Sequence, residues 1–126
     1  IPFAPPVTNA HLPDIFKCDI SVISATLEHI EDYEAAVSNI FKHTSNLVIM
    51  RTFVGEFALK DICRTIGAKA DYIIRQFTIE DLVRIPLELG WSYRQEVDIA
   101  TMGVLKMTCN STSIPRKQAV LVFFKQ

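Results

Sequence analysis

The apolar positions of the chain fall into short runs divided by polar clusters, and the spacing within each run predicts strands alternating with helices. Ile20, Val22 and Ile23 form the first run, which ends abruptly in the polar and ionisable stretch Ser24-Ala25-Thr26-Leu27-Glu28-His29. A run of that length suits a buried strand. Beyond it, Tyr33, Ala36, Val37, Ile40 and Phe41 recur at i, i+3, i+4, i+7 and i+8, one face of a helix, with Asp32 as its N-cap. Lys42 and His43 suit the negative end of that helix, and Thr44-Ser45-Asn46 separates it from Leu47-Val48-Ile49-Met50, an apolar run typical of a buried parallel strand. A right-handed crossover in this strand, helix, strand unit sets Ser24 to Thr26 and Arg51 to Phe53 on one edge of the sheet. In open α/β sheets ligands bind just beyond the carboxyl ends of such strands. That edge is where chemistry is expected.

The remaining pattern predicts two further helices and two further strands. Leu59, Ile62, Cys63 and Ile66 sit at helical spacing between Phe57 and Ile66, and Gly67 suits a helix end. The segment Asp71 to Phe77 leads into Thr78-Ile79-Glu80-Asp81-Leu82, where Thr78 caps a helix, Asp81 takes the third position and Phe77 staples onto Leu82. Pro86 removes a hydrogen bond inside that helix, so a kink or an early stop is expected near Ile85. Trp91, Tyr93, Val97 and Ile99 alternate with Ser92, Arg94, Glu96 and Asp98 as in a half-exposed strand. Gly103 interrupts it, Val104 to Met107 continues it or forms a separate strand, Asn110 to Lys117 is a loop, and Ala119 to Phe124 reads as a final buried strand. At the other end, residues 1–17 form a Pro-rich, extended lead-in, since Ile1 to Phe16 holds four of the six prolines.

Composition narrows the function classes. The chain has 126 residues, 49% of them hydrophobic, enough for the core of a single domain spanning residues 1–126. Thirteen Lys and Arg stand against 14 Asp and Glu without a block of one sign, so nucleic acid is not implied. Cys18, Cys63 and Cys109 are odd in number and lack metal-ligand spacing, which points to reduced thiols in a cytoplasmic compartment and to no metal site. No apolar run approaches the roughly 20 residues that span a bilayer, so no membrane is expected. The chain begins at Ile1 without an initiating Met, which suggests a processed, trimmed or incompletely represented polypeptide.

The order Asp19, apolar run, Leu27-Glu28-His29, Ile30, short gap and helix resembles the fourth strand of class I S-adenosylmethionine-dependent methyltransferases. Asn9-Ala10-His11-Leu12-Pro13 is similar to the family's segment after the third strand, with Asn9 where an acidic residue normally contacts adenine, and Leu89-Gly90-Trp91 fits the family's later helix end. The resemblance covers nearly the whole chain but only the second half of the family's domain. The family's Gly-rich turn has no counterpart, for Gly55, Gly67, Gly90 and Gly103 are widely spaced. The implied fold is α/β: a partial Rossmann-like sheet, mostly parallel with an antiparallel C-terminal strand and helices on both faces. Its last strand would insert beside Leu47 to Met50, giving the order first, second, fourth, third.

The resemblance implies transfer of a methyl group from S-adenosylmethionine to a small-molecule or protein acceptor. Methyl transfer from a sulfonium needs alignment, exclusion of water and sometimes a base. The implied cofactor contacts are Asn9, Ala10, Ser24, Ala25, Thr26 and Glu28. Arg51, Phe53, Tyr72 and Arg75 form the implied acceptor side, where Arg75 would clamp a carboxylate or phosphate or else make a surface ion pair. His29 is the candidate base, as the side chain whose charge changes nearest neutral pH, or alternatively a local hydrogen-bonding residue. Two other readings stand beside this one. One is a noncatalytic half-domain used in assembly, with a homodimer formed through the unpaired edge of the strand at Ile20 to Ser24. The other is an unrelated α/β binding domain with a different strand order.

Overall fold

The computed structural model describes residues 17–63, 72–102, 105–106 and 116–125. Residues 1–16 of the Pro-rich lead-in, with Asn9 and Ala10, lie outside them, as do Ile66, Gly67, Gly103 and most of the loop expected from Asn110. In chain order the elements are β1 (Cys18–Ser24), a 3-10 turn (Leu27–His29), α1 (Tyr33–Lys42), β2 (Thr44–Val54), β3 (Leu59–Cys63), β4 (Tyr72–Gln76), α2 (Ile79–Glu88), β5 (Trp91–Val97), β6 (Leu105–Lys106) and β7 (Arg116–Lys125). Both helices start on the expected caps. Asp32 Oδ1 accepts from Ala35 N at 3.2 Å, and Thr78 Oγ1 accepts from Asp81 N at 3.1 Å, each satisfying an amide that the helix leaves unpaired.

The main sheet runs β1-β2-β7-β5, with the two-residue β6 also paired along β7. In sequence order this is first, second, fourth, third among the principal strands, as the resemblance implies. β1 pairs with β2 in parallel, whereas β7 pairs antiparallel with β2, β5 and β6. The sheet is therefore mixed rather than mostly parallel in its pairing. β1, β2 and β5 point the same way, and the inserted β7 turns every contact it makes antiparallel.

Three expectations are corrected. Helices were expected on both faces, but both described helices pack on one: Val37 and Phe41 of α1 and Leu82 and Val83 of α2 share a single core with Val48, Met50, Leu121 and Phe123. No described helix covers the opposite face, where Ile20 is 56% and Val22 65% exposed. The helix expected from Phe57 is instead strand β3, paired antiparallel with β4 from Leu59↔Gln76 to Cys63↔Tyr72. A short stretch with two or three apolar residues satisfies either period, and β4 supplies the ladder partner that decides it. Finally, α2 does not stop near Ile85 but runs two residues past Pro86. The proline lies in the last turn, and Leu89 N closes the end on the carbonyls of Ile85 and Pro86, both at 3.1 Å.

The β3–β4 hairpin joins the main sheet at the end of β2. Phe77 N donates to Phe53 O at 3.0 Å and Gly55 N to Phe77 O at 2.9 Å. A Cβ at Gly55 would come within 2.3 Å of the buried Gln76 side chain, whose Nε2 donates to Phe57 O. A side chain at residue 55 would displace the Gln76 amide from the place where it bonds Phe57 O.

Phe41 holds the two layers together, standing edge-on to Trp91 at 5.2 Å and to Phe123 at 4.8 Å while 1% exposed. Replacing it with alanine removes the contacts of α1 to β5 and β7 at once. Phe41→Ala is expected to cost about 3–5 kcal/mol, read from the urea midpoint at unchanged m-value.

Candidate functional site

The site is the edge where β1 and β2 end, together with the segment that follows β5. The parallel register Ser24↔Arg51 brings the two strand ends side by side, and Ala25 N donates to Arg51 O at 3.0 Å. Ala25 then turns the chain off the sheet with φ of 52°, a left-handed backbone that costs a non-glycine residue energy. Thr26 Oγ1 donates to Ser24 O at 2.9 Å, and the next residues close a tight turn through His29 N to Thr26 O and Ile30 N to Leu27 O. Ser24, Ala25 and Thr26 stay exposed while Leu27 and Glu28 are buried, so the turn is pinned from below.

His29 is held from the opposite side by the hairpin. Its Nδ1 lies 2.6 Å from Ile73 O, and its ring meets Tyr72 edge-on at 5.2 Å. A carbonyl oxygen can only accept, so the neutral ring carries its hydrogen on Nδ1. Nε2 is left with a lone pair, the arrangement of a proton acceptor. Arg75 follows on β4, with Nε donating to Ile30 O at 3.3 Å and Nη2 to Glu31 O at 2.8 Å, and its guanidinium lies 5.4 Å from the Tyr33 ring centre. Five expected residues, Ser24, Ala25, Thr26, Glu28 and His29, thus gather in one turn, with Arg51, Tyr72 and Arg75 against it. Phe53 is elsewhere, buried with Ile74 beneath the hairpin.

Arg51 makes an internal ion pair. Its Nε and Nη2 reach the two oxygens of Asp98 at 2.8 and 3.1 Å, a bidentate contact with a carboxylate whose residue is 3% exposed. Thr101 adds its backbone N–H at 3.2 Å and its hydroxyl. The Arg51 hydrogen bonds, seconded by those of Thr101, outweigh burial and hold the Asp98 carboxyl down at about 2. Arg51 therefore spends its guanidinium on Asp98. Sequence reasoning took Asp98 as a solvent-facing position of a strand and missed this role. The available signal was its place at the carboxyl end of β5, on the same edge as Ser24 and Arg51.

An open cavity of about 370 Å³ adjoins this ion pair, lined among others by Glu96, Asp98, Met102, Lys117 and Gln118. A second, of about 250 Å³, lies between Tyr33, Lys60, Arg75 and Asp81. Among the described residues no cluster of His, Cys, Asp and Glu could hold a metal ion, and no helix is long and apolar enough to cross a membrane.

Because the Asp98 carboxyl is held below its ordinary 3.8, its contribution to stability is full above that value and is lost as pH falls toward about 2. Asp98→Asn is expected to cost about 1.5–3 kcal/mol at neutral pH and to flatten the loss of stability between pH 4 and pH 2, read from urea midpoints across that range. No family model matches the chain, and no curated protein matches it.

Proposed function

We propose that the chain is the acceptor-side half of an S-adenosylmethionine-dependent methyltransferase domain, acting on a small-molecule or protein acceptor. The observation that carries this reading is the strand order β1-β2-β7-β5, in which an antiparallel last strand is inserted and a polar turn opens from the carboxyl end of β1. The candidate residues fit the cofactor in part. Ser24, Ala25 and Thr26 form an exposed rim suited to one wall of a site, whereas the buried Glu28 carboxyl points to a supporting part beneath it. When bound, S-adenosylmethionine supplies an electrophilic methyl group on a positively charged sulfur.

The chain's own contribution is to orient the acceptor and take its proton. His29 Nε2 is the proton acceptor, with Nδ1–H directed at Ile73 O so that the ring presents one fixed nitrogen. Tyr72 braces the ring. Arg75 holds the backbone that follows the turn rather than reaching for substrate. Cys18 carries a free thiol, which suits a reducing, cytoplasmic setting.

A second reading, a noncatalytic half-domain used in assembly, is favoured by the uncovered sheet face. Ile20 and Val22 are exposed on β1, whose outer edge carries no described strand, and an unpaired edge of that kind invites another chain. On that reading two copies meet through β1.

One titration separates the two. S-adenosylhomocysteine at about 1 mM is expected to shift the amide NMR signals of Ala25, Thr26 and His29 while leaving those of α2 unmoved. Absence of any shift at that edge would overturn the assignment of Ser24, Ala25 and Thr26 as a cofactor wall complete in this chain. Sedimentation of the same sample tests the other: a dimer that Val22→Lys converts to monomer would favour assembly, and a strict monomer would count against it.

A further inference from the structure

The cavity beside the Arg51–Asp98 pair carries a polar group that the fold itself does not use. Gln118, near the start of β7, forms part of the cavity wall and is only 8% exposed, yet its Oε1 has no hydrogen-bond partner. A buried amide acceptor without a donor is disfavoured, and nearly all such groups in folded chains are paired. The terminal torsion of a Gln side chain is broad and close to twofold, so the amide can turn its carbonyl end outward at little cost. A hydroxyl or N–H entering the cavity then gives the oxygen the partner it lacks.

The charges around the cavity leave one unspent. Arg51 and Thr101 already take up the Asp98 carboxylate, and Arg94 Nε engages Glu96 at 2.7 Å. Lys117, next to Gln118 along β7, also lines the cavity, is exposed and makes no ion pair among the described residues. Val97 and Met102 line the same space, and both are exposed apolar residues. A volume of about 370 Å³ lies at the small end of the range, roughly 300–1,000 Å³, that ligand cavities occupy.

We propose that this cavity binds a small organic carboxylate that has an apolar body and a hydroxyl or N–H donor. The carboxylate meets the Lys117 ammonium, the body lies along Val97 and Met102, and the donor reaches Gln118 Oε1. The bonds of Asp98 to Arg51 and Thr101 are internal to the wall, so the ligand does not compete for them. Neither His29 nor the rim Ser24 to Thr26 lines this space. The site therefore stands whatever reaction that rim serves.

The probe is para-hydroxyphenylacetate, which carries all three features on one ring. It is titrated into the full chain while NMR follows the backbone amides of Val97 and Gln118 and the Gln118 side-chain amide. Saturable shifts are expected at these signals. Phenylacetate, which lacks the donor, is expected to bind about threefold to tenfold more weakly. Para-hydroxyphenylacetamide, which lacks the charge, is expected to bind about twofold to fivefold more weakly. Gln118→Leu should erase the preference for the hydroxylated probe while preserving or raising the urea midpoint, because it removes an unpaired buried amide. Lys117→Gln, a change at an exposed position, should erase the preference for the carboxylate. Absence of saturable shifts at these signals overturns the proposal, and so does equal binding of either analogue by the unaltered chain. A Gln118→Leu chain that unfolds at lower urea, or that still prefers the hydroxylated probe, overturns the role of Gln118.

Discussion

The structure depends on β7 lying between β2 and β5. That strand pairs along Leu47 to Val54 on one side and along Trp91 to Val97 on the other, so it alone joins β5 to the β1–β2 pair among the described strands. Its Ala119, Leu121 and Phe123 point into the core that α1 and α2 cover. These pairings link the end of the chain to its first half, so the sheet closes only through contacts of long sequence separation.

The Arg51–Asp98 pair is the clearest instance. Arg51 stands on β2 opposite Val120 of β7, and Val120 in turn faces Glu96 of β5, two residues before Asp98. The guanidinium reaches across the inserted strand to tie the outgoing ends of β2 and β5 together. A bidentate, mostly buried contact of this kind fixes geometry, whereas the exposed Lys60–Glu31 and Arg84–Glu34 pairs on the surface contribute little. On the other side of the edge, the hairpin does for His29 what Asp98 does for Arg51. It supplies a single directed partner, and that partner selects which ring nitrogen stays basic.

The two faces of the sheet are unequal. One is closed by both helices around Phe41, Leu82 and Phe123, while the other leaves Ile20 and Val22 open beside half-buried Leu47, Ile49 and Val122. Burying such side chains contributes about 25 cal/mol per Å² of apolar area removed from water, so an open apolar face is a standing drive toward association. Among the described residues no strand pairs with the outer edge of β1.

Much of this was legible in the sequence because it rests on local relations. A capping side chain reaches an amide two or three residues away, so Asp32 and Thr78 marked their helices, and the spacing of Tyr33 to Phe41 marked the buried stripe of α1. The continuous apolar run Leu47 to Met50 marked a covered strand, and the cluster from Ser24 to His29 marked the edge of interest. Only the tertiary structure decided the rest. Residues 59–63 are a strand because β4 pairs with them, and both helices share a face because the Phe41 and Leu82 stripes enter one core. The same holds for Glu28, which the fold leaves 1% exposed in the turn after β1, and for Arg51, whose partner stands 47 residues away. A pattern of residue types records how deep a position lies and where an element begins. Which distant segment covers it, and which charge it meets, is set by the packing of strands that the chain brings together only on folding.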